Sequence, residues 1–200
     1  IRNRTKIERI KHISSLNIRL CQEVIGAGDE VIDSLIAGRS DIYNTLIISP
    51  PRCGKTTLLR DLVRQISSGR KKLGFEGLKV GVVDERSELS GAYQGVPQND
   101  LGLRTDVLDR GPKGEGILLL IRSMSPEVVV TDEIGTRKDV EVIREALNAG
   151  VRVITTVHGR DLSEVKSRPI LEELFTARVF RRFIVLSRRE GPGTVEEVIK

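Results

Sequence analysis

With 200 residues, 38% of them hydrophobic and 30% charged, the chain holds enough apolar material for one main globular domain with a small appendage. Its longest uninterrupted apolar run, Ile117–Ile121, falls far short of the roughly 20 residues a membrane-spanning helix needs. Only Cys21 and Cys53 are present, which excludes a disulfide framework, and neither stands at metal-ligand spacing with His12 or His158.

The net charge is +5, and the basic residues cluster in the runs RNRTKIERIKH, GRKK, FRRF and SRRE. Acids are interspersed among them, aromatics make up 3% and Trp is absent, so base-stacking surface is poorly supplied. These runs read mainly as solvated faces or subunit contacts. The chain begins at Ile1 and reads as a piece with sequence upstream; no secretory-signal pattern opens it, and a reducing cytoplasm is the expected setting.

In chain order, residues 1–43 read as a helical linker or oligomerisation segment: ISSLNIRLCQEVIG and DEVIDSLIAGR are two helical pieces around the flexible Gly26-Ala27-Gly28. Their apolar stripes need the main domain or a neighbouring subunit to bury against. From residue 44 to 200, β-branched runs alternate with helix-patterned segments, the signature of a mainly parallel α/β sheet. TLIIS is a strand, and Leu58, Leu59, Leu62, Val63 and Ile66 then share one helical face. KVGVVDE is the second strand, and GVPQNDLGLRTDVLDRGPKGEG a long loop. GEGILLLIRSM is a helix, EVVVTDE a strand, DVEVIREALNAG a helix closed by Gly150, and VRVITTVH a strand. LSEVKSRPILEELF is helical with a break at Pro169, and VFRRFIVLSR with TVEEVIK forms a terminal hairpin around Gly191, Pro192 and Gly193.

The chemistry begins at SPPRCGKTTLLRDL, Ser49–Leu62, a phosphate-binding loop running from a strand into a helix. Backbone N–H groups and a helix N-terminus converge on anionic oxygens, a lysine reaches the outer phosphates and a hydroxyl binds magnesium. Pro51, Arg52, Cys53, Gly54, Lys55, Thr56 and Thr57 are the expected ATP-contacting set, with Thr56 on Mg2+. Ser49 stands where glycine is usual and sacrifices backbone freedom; Pro50 and Pro51 stiffen the loop without donating N–H groups. Cys53 reads as a small loop residue rather than a reactive thiol.

Hydrolysis also needs an acid to orient magnesium and a base to activate water, both at a strand end facing the loop. Asp132 and Glu133, closing VVVTDE, fit those roles in that order, as magnesium ligand and water-activating base. Asp84 and Glu85 close the second strand and bring further carboxylates, Glu85 being a second candidate base. Thr156 and His158 end the next strand and are placed to sense the terminal phosphate. Arg86, Arg104 and Arg110 are candidates for an arginine acting on a neighbouring subunit's nucleotide, each weighed against being a solvated arginine.

Three boxes in order resemble the secretion and type IV pilus ATPase superfamily. RSMSPEVVVTDEIG is similar to its second nucleotide motif, ALNAGVRVITTVHG to its histidine box at Thr156 and His158, and DERSE to its acidic box at Asp84, Glu85 and Glu88. Over nearly the whole chain, HISSLNIRLCQEVIG, ISPPRCGKTTLLRD, VDERSELSGAYQGVPQND, RTDVLD and DEIGT resemble the stage III sporulation protein AA family. That resemblance implies a RecA-like P-loop core and a hexameric ATPase, peripheral to the forespore membrane on its mother-cell face. It also implies membrane-embedded channel proteins of the sporulation apparatus as partners. Thr131 and Thr136 depart from the wider pattern, Thr136 standing where related ATPases often carry arginine. Two rival readings are an ATP-dependent single-stranded nucleic-acid-binding protein and an ATP-binding assembly protein with little turnover.

Overall fold

Strands that are apolar on both faces have to lie between two layers of helices. The computed structural model, which describes residues 12–16 and 23–200, builds that arrangement. The element order is α1 (Ile32–Leu35), β1 (Ile36–Gly38), β2 (Asp41–Ile42), β3 (Thr45–Ser49), α2 (Lys55–Ser68), β4 (Val80–Asp84), β5 (Thr105–Asp109), α3 (Lys113–Met124), β6 (Val128–Thr131), α4 (Arg137–Asn148), β7 (Arg152–His158), α5 (Leu162–Lys166), α6 (Glu172–Thr176), β8 (Arg182–Ser187) and β9 (Thr194–Ile199). Seven strands form one sheet in the order β5-β4-β6-β7-β3-β8-β9, every neighbouring pair parallel except β8 and β9.

All residues of β3, β4 and β6 are buried. On one face Ile47, Val80, Val82, Val128 and Ile154 pack under Leu58, Leu59, Leu62 and Ile66 of α2; on the other Leu46, Ile48 and Val129 meet Ile117, Val140, Ile143 and Ala146 of α3 and α4. Helix α3 approaches very closely. A Cβ on Gly116 would lie 2.7 Å from Leu108 and 2.9 Å from Val83, so only glycine lets this helix reach β4 and β5. The fold class is the expected one, an α/β RecA-like P-loop core with a mainly parallel sheet and a C-terminal antiparallel hairpin.

Two local expectations are corrected. The long loop over 95–116 contains a strand, β5, whose five residues pair in parallel with β4 from Val80↔Thr105 to Asp84↔Asp109. The glycines and prolines on either side make the whole stretch read as loop, yet an edge strand needs only one buried side, and all five residues of TDVLD are half-buried. The piece DEVIDSLIAGR is helical only over Ile32–Leu35, after which the chain enters the β1–β2 hairpin. Val31, Ile32, Leu35 and Ile42 are buried in the main core, so this stripe is covered by the same chain. Of the first helical piece, residues 13–16 have no regular secondary structure and 17–22, with Cys21, lie outside the described residues.

Candidate functional site

The parallel register sets the C-terminal ends of β3, β4, β6 and β7 along one edge, with Ser49 opposite His158 and Asp84 opposite Asp109. From Ser49 the chain turns through Pro50–Gly54 into α2. The turn requires left-handed backbone at Arg52, φ +61°, and at Gly54, φ +85°. Ser49 is not among the positive-φ residues, which is why serine can stand in place of glycine. Its hydroxyl is used locally, donating to the Pro50 carbonyl at 2.8 Å and receiving the Lys55 ammonium at 3.2 Å.

Lys55 is buried and folds back over its own loop, donating to the Ser49 carbonyl at 3.3 Å and the Pro50 carbonyl at 3.2 Å. Its ammonium also lies 2.9 Å from Nδ1 of His158, whose Nε2 is 3.2 Å from Glu133 Oε2. Burial holds the Lys55 ammonium below its ordinary pKa, with the Glu133 carboxylate pulling the other way. A lysine at the positive end of the 14-residue α2, whose first turn has no acidic residue, is electrostatically incomplete without an anion.

These groups line a cavity of about 640 Å³. Pro51, Arg52, Cys53, Gly54, Lys55, Thr56 and Thr57 form one wall; Asp132, Glu133, Thr156 and His158 form the other, joined by Arg86 and Glu88. The two sets read separately from the sequence are thus brought together. Cys53 is buried, its thiol 3.6 Å from the Pro51 carbonyl. Thr156 is buried, and its carbonyl accepts the Ile134 N–H at 2.8 Å.

Glu85 lines an adjoining cavity of about 490 Å³, which shares Arg86, Asp132 and Glu133 with the first. Asp84 does not join the carboxylates in either cavity. Its buried side chain accepts the N–H groups of Glu88, Leu89 and Ser90 and the Ser90 hydroxyl, so it shapes the loop that delivers Glu88. Arg104 stands at the far end of the sheet, where its guanidinium donates to the Glu76 carbonyl at 2.8 Å. Arg110 follows β5 at the near end, exposed, its N–H donating to the Asp84 carbonyl at 2.9 Å.

Three residues of the region escaped the sequence reading. Lys113, the first residue of α3, is buried behind Asp132, with its ammonium 3.4 Å from Asp132 Oδ1 and donating to the Glu133 carbonyl. Asp139 accepts the N–H groups of Gly135 and Thr136 in the capping box of α4; burial pushes its carboxyl up, but those donors and Lys113 hold it below the ordinary range. Thr136, the departure from the arginine of related ATPases, is therefore the N-cap. Pro192, at the tip of the β8–β9 hairpin, lines the cavity, and the Gly193 N–H donates to the Cys53 carbonyl at 3.0 Å. A lysine opening a helix runs against the dipole and so points to acids nearby; the sequence marks the hairpin turn at Gly191, Pro192 and Gly193, but not that its tip reaches the phosphate loop.

The donor set fits a nucleotide with its magnesium. Asp132 Oδ1 is buried with the Lys113 ammonium 3.4 Å away as its ion-pair partner, and burial still raises the Asp132 pKa against that pull, the condition of a carboxylate that gains from further positive charge. Thr131 Oγ1 is buried without a hydrogen bond.

The architecture is similar to that of the ATPase DotB of Legionella pneumophila, with a TM-score of 0.56 and 18% identity over 78% of this chain and 43% of that one. It is also similar to the pilus retraction motor PilT with bound ADP, with a TM-score of 0.51 and 14% identity over 72% of this chain and 42% of that one. The fold is that of the secretion and pilus ATPases. Within it, the family profile described as Sporulation stage III, protein AA matches residues 1–200, and the chain belongs to that family. It is 46% identical over 192 residues to the stage III sporulation protein AA of Bacillus subtilis strain 168, covering 96% of this chain and 61% of that relative's length.

Proposed function

We propose that this chain is the motor domain of an oligomeric, Mg-ATP-hydrolysing protein that serves a membrane-embedded channel during endospore formation. The observation that carries the reading is the contact chain Lys55–His158–Glu133, which joins the phosphate loop to the acid-bearing strand inside one cavity. On this reading Lys55 leaves the Ser49 and Pro50 carbonyls for the outer phosphates, and the loop N–H groups cradle the rest. Thr56 and Asp132 are the residues to hold magnesium, which when bound draws negative charge off the phosphates. Glu133 accepts the proton of the attacking water, while His158 and Thr156 orient toward the terminal phosphate.

A hexameric ring, with one of Arg86, Arg104 or Arg110 acting on the next subunit's nucleotide, is supported by likeness to ring-forming secretion ATPases. A peripheral place on the mother-cell side of the forespore membrane accords with the family. Among the described residues no helix is long and apolar enough to cross a membrane. Residues 1–43 would then link or assemble subunits beside the ATPase domain over 44–200, with Val31, Ile32, Leu35 and Ile42 joining the segment to that domain's core.

Steady-state ATP hydrolysis across a protein-concentration series tests this, with Lys55→Ala and Glu133→Gln as controls and single-stranded DNA or RNA in parallel. Turnover that rises with concentration, vanishes in both variants and ignores nucleic acid is the expected result. Activity indifferent to both substitutions would overturn the site, and salt-sensitive stimulation by nucleic acid would overturn the partner class.

A further inference from the structure

Lys113 is the one buried lysine besides Lys55 among the described residues, and it lies outside the phosphate loop. Its position is unfavourable on two counts. An ammonium at the first residue of α3 sits at the positive end of the helix dipole, and burying it is costly unless opposite charge surrounds it. The surroundings supply that charge from three other elements. Asp132 Oδ1 of the segment after β6 is 3.4 Å away, Asp139 Oδ1 of α4 is 3.8 Å away and Glu85 Oε2 after β4 is 4.0 Å away. The ammonium also donates to the Glu133 carbonyl.

Two of these four contacts fall on consecutive residues, and those two residues separate the two cavities. Asp132 and Glu133 line both. Lys113 engages them from the cavity away from the phosphate loop: it takes Asp132 by one carboxylate oxygen, which fixes the rotation of that group, and Glu133 by its backbone, which fixes where its side chain starts. Through Asp139 the same ammonium ties this pair to the capping box of α4, and Gly116 lets α3 come close enough to deliver it.

We propose that Lys113 is a positioning residue for the reaction: from behind the site it holds the magnesium carboxylate of Asp132 and the backbone of the water-activating Glu133 in one fixed relation, touching neither nucleotide nor water itself. The inference rests on the ATPase reading above.

The test measures binding of a fluorescent ATP analogue with and without Mg2+, and turnover resolved into kcat and KM, for wild type, Lys113→Met, Lys113→Gln and Lys113→Arg. Thermal melts establish that each variant folds. Lys113→Met is expected to bind nucleotide without Mg2+ within about 2-fold of wild type and to lose roughly 10-fold of the affinity gained on adding Mg2+. Its kcat should fall about 100-fold with KM little changed, the pattern of a geometry lost in the transition state. Lys113→Arg, which keeps the charge and several donors, should recover roughly 10-fold of kcat. Lys138→Met removes the other lysine of the same cavity, which is exposed and has no ion pair among the described residues, and should change none of these.

Should Lys113→Met not melt cooperatively, the comparison becomes Arg against Gln, and equal kcat in those two overturns the proposal. A Mg2+ response and kcat in Lys113→Met within 2-fold of wild type overturns it as well. Wild type that binds no nucleotide in either condition overturns the ATPase reading itself, and the inference falls with it.

Discussion

The Lys55 ammonium lies 2.9 Å from Nδ1 of His158, and because an ammonium can only donate, the imidazole accepts there. A neutral ring then carries its proton on Nε2, which faces Glu133 Oε2 at 3.2 Å. His158 thereby relays the placement of the phosphate-loop lysine to the carboxylate proposed to activate water. Replacing it with alanine should lower turnover roughly 10- to 100-fold, the range of one positioned hydrogen-bonding group, while nucleotide affinity changes by no more than a few-fold. Parallel turnover and fluorescent-nucleotide titrations check this. A variant that loses affinity and keeps kcat would assign His158 to ground-state binding instead.

Gly54 joins two constraints at one atom. Its φ of +85° disfavours any side chain, and a Cβ there would lie 2.9 Å from the Gly193 backbone nitrogen of the hairpin tip. Gly54→Ala should therefore push the hairpin off the loop and cost on the order of 1–3 kcal/mol, the range for strained left-handed backbone. Nucleotide affinity should drop at least roughly 10-fold as the loop N–H groups lose alignment. Urea denaturation and nucleotide titration on the same sample separate the two effects, and intact affinity would show that the hairpin contact does not shape the loop.

The central strands were legible because parallel strands covered on both faces read as unbroken apolar runs, as in TLIIS and VVVT. The phosphate loop and the acid pair were legible because each is local, a motif whose parts sit within a few residues. The missed features are long-range. TDVLD becomes a strand only because β4 offers it an edge, and Lys113 acquires meaning only when α3 carries it to Asp132 and Asp139. DEVIDSLIAGR has helical periodicity, but the segment turns into a hairpin after Leu35, and Asp41 of that hairpin pairs through both carboxylate oxygens with Arg152 at 2.8 and 2.7 Å. Tertiary contact outweighs weak propensity in such short pieces.

Asp61 anchors the segment before α1 to the core. One carboxylate oxygen accepts the Gly28 N–H at 2.8 Å and the Gln65 amide at 2.7 Å, and the other takes Arg64 at 2.8 and 2.6 Å. Burial pushes this carboxyl up, but the N–H of Gly28, Arg64 and Gln65 together hold it below the ordinary range. Asp61→Asn leaves at least one donor facing a donor and should cost about 2 kcal/mol, the scale of a charged buried hydrogen bond. Urea denaturation reads the cost, and amide exchange should speed up around Gly28 and Val31 while the α4 amides keep their protection. Uniform acceleration across the chain would mean that the segment is not separately anchored.

Glu164 gives a pH dependence whose sign is set by geometry. Its carboxylate accepts the Arg160 N–H at 2.9 Å, Arg168 at 2.8 Å and the Arg160 guanidinium at 3.2 Å, and these donors, the backbone N–H first, push its pKa down to about 2 from an ordinary 4.5. A carboxyl with a depressed folded pKa stabilises fully above its unfolded pKa, and that contribution disappears as pH falls toward the folded value. Glu164→Gln should accordingly melt below wild type at pH 7 and by the same margin at pH 6. The gap should narrow from pH 4.5 downward and be nearly closed by about pH 2. Because the group is only half-buried, raising the salt concentration should shrink the neutral-pH gap as well. Melting curves of both proteins at matched ionic strength decide the matter: a gap that stays constant from pH 7 to pH 3 would place the effect of the substitution in packing rather than in this carboxylate's charge.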